Sequence, residues 1–276
     1  MNPPHEAGAR RLRFSKMHGA GNDFVVLDAE TAGAIPDLPA WARRVCRRGL
    51  SVGADGVLVV GPEDGGVRVL FLNPDGGEAF CGNGTRCAAR FAVMRGLGQG
   101  TLHLRTAAGD VEAHVEGAQV RLELPGPRDL GPWEGSDGSR PLAGRRIEAG
   151  VPHLILEVDD VRAAPLDRWG PALAHHADFG PPGTNVDVVA AGTDGVLRIR
   201  TWERGVEGET LSCGSGAVAG AYFLAQRRGT GDVRVLPASG VPLRVTLRGA
   251  LAILEGDARV IFEGSLPGEA VSGFPP

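Results

Sequence analysis

Lysine is nearly absent from this chain: Lys16 is the only one, and every other basic residue is arginine. An enzyme that works through pyridoxal phosphate needs a lysine for its Schiff base. Only Lys16 is available for that role, and nothing around it reads as a cofactor pocket. No stretch approaches the roughly 18 or more apolar residues of a membrane-spanning helix. Residues 1–11 carry Pro, Glu and Gly without an apolar core, which argues against a secretory signal and for a frayed extension. A cytoplasmic protein is expected, with no membrane partner. Basic residues are not in excess either. The formal charge is −4 and the isoelectric point near 6.0, so no nucleic-acid partner is expected.

Cysteine is sparse. Cys46, Cys81, Cys87 and Cys213 are too few to staple 276 residues, and a reducing compartment would keep them as thiols. There is no C-x-x-C and no H-x-x-x-H pair. Cys81 and Cys87 would lie about 240° apart around a helix, and His175 and His176 would diverge. No metal site is expected. Asparagine is also scarce, with five in the chain, and four of them (Asn22, Asn73, Asn83, Asn185) lie in glycine-rich motifs. Such placement points to a task for a neutral side chain that both donates and accepts.

What is present is a repeat. CGNGTRCAARF at 81–91 aligns with CGSGAVAGAYF at 213–223 on the Cys, both Gly, one Ala and the final Phe. Downstream, TAAG (106–109) answers PASG (237–240), and the strand-like VEAHV and VRLEL answer LRVTL and LAILE. Upstream, GADGVLVV (53–60) answers GTNVDVV (183–189), VRVLFLN (67–73) answers LRIRTWE (197–203), and GNDFVVLD (21–28) loosely answers GVPHLILE (150–157). Short helices introduced by proline are expected near 39–48 and 171–176. The segments after Cys81 and Cys213 are apolar on nearly every face and run to Gly96 and Gly229, the pattern of buried helices. The stretch 125–145, rich in Gly, Pro and charge, reads as a linker.

The expected fold is α+β: two pseudo-symmetric lobes, each a curved, mostly antiparallel, barrel-like sheet wrapped around a central helix. The first lobe is placed at 12–126 with Cys81, with the C-terminal segment 262–276 packing back on it. The second is placed at 127–261 with Cys213. Equivalent turns could then present their two cysteines across a shared cleft.

A helix N-terminus offers unpaired N–H groups and partial positive charge. A thiol there can fall from a pKa of about 8.5 into roughly 3.5–7.5, and flanking glycines let backbone donors reach a carboxylate. Inverting a carbon stereocentre by proton transfer needs a base on one face and an acid on the other. A thiolate and a thiol from Cys81 and Cys213 supply such a pair. Cys46 and Cys87 have no counterpart in the other half and read as buried apolar residues.

The segments FSKMHGAGNDFVVLD, NPDGGEAFCGNGTRC, TNVDVV and ERGVEGETLSCGSGA resemble the signature stretches of the diaminopimelate epimerase family over residues 12 to 264. The resemblance implies cofactor-independent conversion of LL-2,6-diaminopimelate to the meso form, in lysine and peptidoglycan precursor synthesis, by a homodimer. It implies that Cys81 and Cys213 are the acid–base pair. Asn22, Asn73, Asn185, Glu203 and Arg204 would hold the polar groups of the substrate. Gly82, Asn83, Gly214 and Ser215 would offer backbone donors to its carboxylate, and His153 and Glu203 would tune the thiols. Val151 stands where many members have Asn, Asp55 where many have Gln, and the Asn73–Cys81 stretch is one residue short, with Gly77 where Ser is usual. The alternatives are a related racemase of another amino acid, of histidine or proline type, or a thiol-redox protein.

Overall fold

The computed structural model describes residues 11–271. The expected extension at 1–11 therefore lies, Arg11 apart, outside the described residues. Two compact units form, one running to Ala118 and resuming at Ala258, the other Gln119–Asp257.

The first unit contains β1 (Leu12–Gly19), β2 (Asn22–Asp28), α1 (Ala29–Gly33), α2 (Leu38–Val45), β3 (Gly56–Glu63), β4 (Gly66–Leu72), β5 (Glu78–Ala79), α3 (Gly82–Met94), β6 (Thr101–Thr106) and β7 (Gly109–Glu116). Its strands pair in the order β1–β2–β3–β4–β6–β7, with β2 parallel to β3, β4 parallel to β6 and the other pairs antiparallel. Helix α3 touches β1, β2, β3, β4 and β7, so the sheet curls around it. Its Ala88, Ala89 and Ala92 are fully buried, and such short side chains let strands approach on several sides. Outside the sheet, α2 starts at Asp37, whose carboxylate accepts the Ala40 N–H at 2.9 Å, with Pro39 in the first turn. Its Trp41, Ala42 and Val45 are buried against Val25, Leu27 and Val57.

The second unit contains β8 (Gln119–Pro125), β9 (Arg128–Ser136), β10 (Pro141–Glu148), β11 (Pro152–Glu157), α4 (Leu166–Ala174), β12 (Asn185–Ala191), β13 (Leu197–Glu203), β14 (Gly208–Thr210), α5 (Gly214–Arg228), β15 (Asp232–Leu236) and β16 (Leu243–Arg248). Strands β9–β10–β11–β12–β13–β15–β16 repeat the pattern of parallel and antiparallel pairs. Helix α5 touches β10, β11, β12, β13, β15 and β16. Gly229 caps it in the left-handed conformation at φ 68°. The last strand, β17 (Leu251–Leu266), serves both units. Its 251–257 portion pairs with β16 and β8, and its 258–266 portion with β1.

That strand moves the expected boundaries. Residues 119–125 do not close the first lobe, because their backbone partners are Leu251–Asp257, and residues 258–261 belong with β1. The expected linker is also corrected: 125–145 contains most of an antiparallel hairpin, β9–β10. Its turn is tied by Asp137, which accepts the Ser139 and Arg140 N–H groups at 2.9 Å. Its strands are tied by the ion pair of Arg145 with Asp129. The helix expected at 171–176 begins a turn and a half earlier, at Leu166, and carries Pro171 inside it. Burial of Leu166, Trp169 and Leu173 along one face outweighs the backbone bond that Pro171 cannot donate. Among the described residues, no helix is long and apolar enough to cross a membrane.

Candidate active site

Each unit places one cysteine at the N-cap of its enclosed helix. Cys81 caps α3 with extended backbone (φ −138°), and its sulfur accepts the Gly84 N–H at 3.4 Å. Cys213 caps α5 at φ −111°, and its sulfur accepts the Gly216 N–H at 3.4 Å. A sulfur so placed sits among the helix's unpaired donors and at its positive end. The repeat expected from sequence is thus a repeat of geometry.

Around Cys81, the first turn of α3 is held by side chains. Asn83 is buried and donates to Asn22 Oδ1 at the head of β2. Asn22 donates in turn to Asp55 Oδ2 at 3.2 Å, and the same oxygen takes the Asp23 N–H at 3.1 Å. Asp55 therefore anchors Asn22. Arg86, fully buried, donates to Asn83 Oδ1 at 2.8 Å. Asn73 follows β4 in a tight turn, its N–H donating to the Gly77 carbonyl and its carbonyl accepting from Gly76, both at 2.9 Å. Lys16 is buried and paired with Asp23 at 2.6 Å.

Around Cys213, Ser215 Oγ lies 3.3 Å from the sulfur and 3.0 Å from His153 Nε2. His153 Nδ1 lies 2.6 Å from Asp187 Oδ2, and the other Asp187 oxygen accepts from Thr201 Oγ1 at 2.6 Å. Glu203, at the end of β13, accepts from Thr210 Oγ1 at 2.5 Å. Asn185 Oδ1 accepts the Arg204 N–H at 3.1 Å, and the Arg204 guanidinium donates to the Pro182 carbonyl.

The electrostatics of Cys213 depart from what its helix position alone suggests. Burial, and then the Glu203 and Asp187 carboxylates, push its thiol well above the ordinary range, offset in part by the Gly216 N–H and, when its hydroxyl donates to the sulfur, by Ser215. Burial likewise raises the Glu203 carboxyl. For this thiol the loss of water outweighs the helix end, and Cys213 rests protonated. Cys46 and Cys87 are buried thiols, each pushed up to about 12 by burial.

Two functional candidates escaped the sequence reading: Asp187 and Arg86. Each had a signal there, as the one charged residue in an otherwise apolar strand (VDVV) or at the head of an apolar helix (TRCAA). The close fit at Gly216 shows how tightly Asp187 is packed. A Cβ on Gly216 would lie 2.6 Å from Asp187 Oδ1 and 3.0 Å from Thr201 Oγ1. Gly216→Ala is therefore expected to cost about 1–3 kcal/mol by overpacking. The measurement is the urea unfolding midpoint; a variant as stable as the wild type would refute the fit.

The comparisons with known proteins bear on the family and the fold. The family model described as diaminopimelate epimerase matches residues 14–125 and 146–260. A diaminopimelate epimerase of Methanocella arvoryzae is 37% identical over 274 residues, covering 93% of this chain and 97% of its own. One from Moorella thermoacetica is 40% identical over 231 residues, covering 76% and 82%. Among solved structures, a phenazine biosynthesis protein of the PhzF family from Enterococcus faecalis superposes with a TM-score of 0.72 at 16% identity, covering 93% of this chain and 99% of its own. A hydroxyproline epimerase from Agrobacterium vitis with bound trans-4-OH-L-proline gives 0.68 at 15% identity, covering 94% and 93%. At such identities these two likenesses speak for the fold.

Proposed function

The chain belongs to the diaminopimelate epimerase family, and from that premise we propose that it interconverts LL- and meso-2,6-diaminopimelate, with Cys81 and Cys213 as the two proton-transfer groups. The observation that carries this reading is the duplicated N-cap: two thiols, each at the head of a buried helix, each beside backbone donors. The α-proton leaves to a thiolate on one face of the carbon, and the opposite thiol returns a proton to the other face. Charge develops on the carboxylate meanwhile. Backbone donors at Gly82 and Asn83, and at Gly214 and Ser215, suit that charge because they are fixed before it appears. The raised Cys213 thiol supports that group as the acid of the resting enzyme, which leaves Cys81 as the base, and the two roles exchange when the reaction runs backward.

Asn22, Asn73, Asn185, Glu203 and Arg204 are assigned to the polar groups of the substrate. Asn22, Asn73 and Asn185 suit a substrate with a second amino-acid head, and Arg204 can grip a carboxylate. His153 and Glu203 tune Cys213, with the hydrogen bond of His153 passing through Ser215. The reaction needs no cofactor in this scheme, because the proton is both removed and returned by side chains. A cytoplasmic homodimer supplying lysine and peptidoglycan precursors completes the proposal.

The test is ²H incorporation at the α-carbon of LL-diaminopimelate in deuterated water, with protein stripped of pyridoxal phosphate and metal. The expected result is inversion with one solvent deuteron per event. Inversion of a single-headed amino acid, with none of diaminopimelate, would overturn the substrate.

A further inference from the structure

The two units repeat each other, yet the ground beneath their cysteine turns differs in kind. In the first unit, β3 pairs Leu58 with Phe71 of β4. A Cβ on Gly84 of α3 would sit 3.3 Å from Leu58 and 3.5 Å from Phe24. Phe24 and Phe71 meet edge to face. In the second unit, β12 pairs Asp187 with Thr201 of β13, and these two lie under Gly216 of α5. The same layer is apolar under Cys81 and a polar hydrogen-bonded pair under Cys213.

We infer that Asp187 is a positioning residue for Cys213, acting through His153 and Ser215 to keep the proton on that sulfur. The inference rests on the proposed role of Cys213 in proton transfer. The His153 and Asp187 side chains are fully inaccessible to water. The carboxylate accepts from Thr201 on one oxygen, and its other oxygen faces His153 Nδ1 at 2.6 Å. A buried carboxylate needs donors on both oxygens, so Nδ1 carries the ring proton. Nε2 is then an acceptor, and the Ser215 hydroxyl, 3.0 Å away, donates to it. With its hydrogen so committed, Ser215 faces Cys213 Sγ at 3.3 Å with lone pairs only, and with the Glu203 carboxylate it offers the S–H an acceptor. Every bond in the chain points one way, and the thiol is favoured over the thiolate. The titratable groups reaching Cys213 are Glu203 from β13, Asp187 from β12 and His153 from β11. Neither carboxylate opposes this direction.

Asp187→Asn reverses the chain. With Thr201 still donating to the amide oxygen, the amide NH₂ faces Nδ1 and donates to it. The ring proton moves to Nε2, Ser215 accepts it, and the Ser215 hydroxyl turns to donate to sulfur. A buried negative charge is lost as well. Both changes favour thiolate. The experiment follows the pH dependence of iodoacetamide alkylation at each cysteine by peptide mass spectrometry, without substrate. In Asp187→Asn the Cys213 midpoint is expected to fall by about one pH unit or more, and the Cys81 midpoint to stay. No shift at Cys213, or an equal shift at both, overturns the inference. Should Asp187→Asn not fold, ¹⁵N spectra of the wild-type ring decide. A protonated Nδ1 with bare Nε2 supports the chain, while a bare Nδ1, or a ring protonated on both nitrogens, overturns it. Neither readout uses turnover, so failure to epimerise diaminopimelate would sink the substrate assignment and leave this inference standing.

Discussion

Replacing either Cys81 or Cys213 by alanine is expected to remove inversion while leaving one-sided proton exchange. Each thiol is assigned to one face of the α-carbon, so losing either leaves the other without its partner in proton transfer. A positioned proton-transfer group contributes about 10²–10⁴-fold to rate, and inversion in each variant should fall at least that far. The surviving group, as its thiolate, can still draw a proton from its own face and return a solvent deuteron there, more slowly for Cys213, whose thiol is held protonated. Cys213→Ala should therefore exchange one configuration at the α-carbon and Cys81→Ala the other. Proton NMR in deuterated water reads both quantities. Residual exchange of the same configuration by both variants would falsify the two-base assignment. Cys46→Ala is the control: Cys46 is buried among Trp41, Val45 and Ala54, in a core cluster that includes neither thiol.

Arg86→Met is expected to be the most damaging change away from sulfur. The guanidinium is fully buried in the first turns of α3 and donates to Asn83, which donates to Asn22, which donates to Asp55. That chain ties the helix carrying Cys81 to the head of β2. Methionine fills much of the volume but leaves the Asn83 oxygen buried without its charged donor. Breaking a buried, charge-assisted network costs about 3–5 kcal/mol. The unfolding free energy of the first unit should fall by that amount, read from urea denaturation. Activity should fall further than stability explains, because Asn22 and Asn83 are both assigned to substrate. A loss below about 1 kcal/mol, well short of the network value, would show that Arg86 does not organise this turn.

The likeness of the two cysteine turns was legible because it is local. A Cys at an N-cap, glycines in the first turn and an apolar helix behind it are short-range features, and each half carries them in the same order. Helix termini were legible for a similar reason: Gly229 takes a backbone angle that other residues resist. The β9–β10 hairpin was not legible. Its Gly and Pro content argues for a loop, and its support comes from an Arg145–Asp129 pair and the backbone of β11.

The sequence alone therefore determined the family, the α+β class, the duplication and the two thiols, because all of these are written in neighbouring residues and their spacing. Only the tertiary structure decided that 119–125 pairs with 251–257, and that Arg86 locks Asn83. It alone decided that Asp187 lies beneath Cys213 while Leu58 lies beneath the turn of Cys81. Those outcomes depend on which strands pair and on what burial does to a charge. Both are fixed by residues far apart in the chain, and no local pattern contains them.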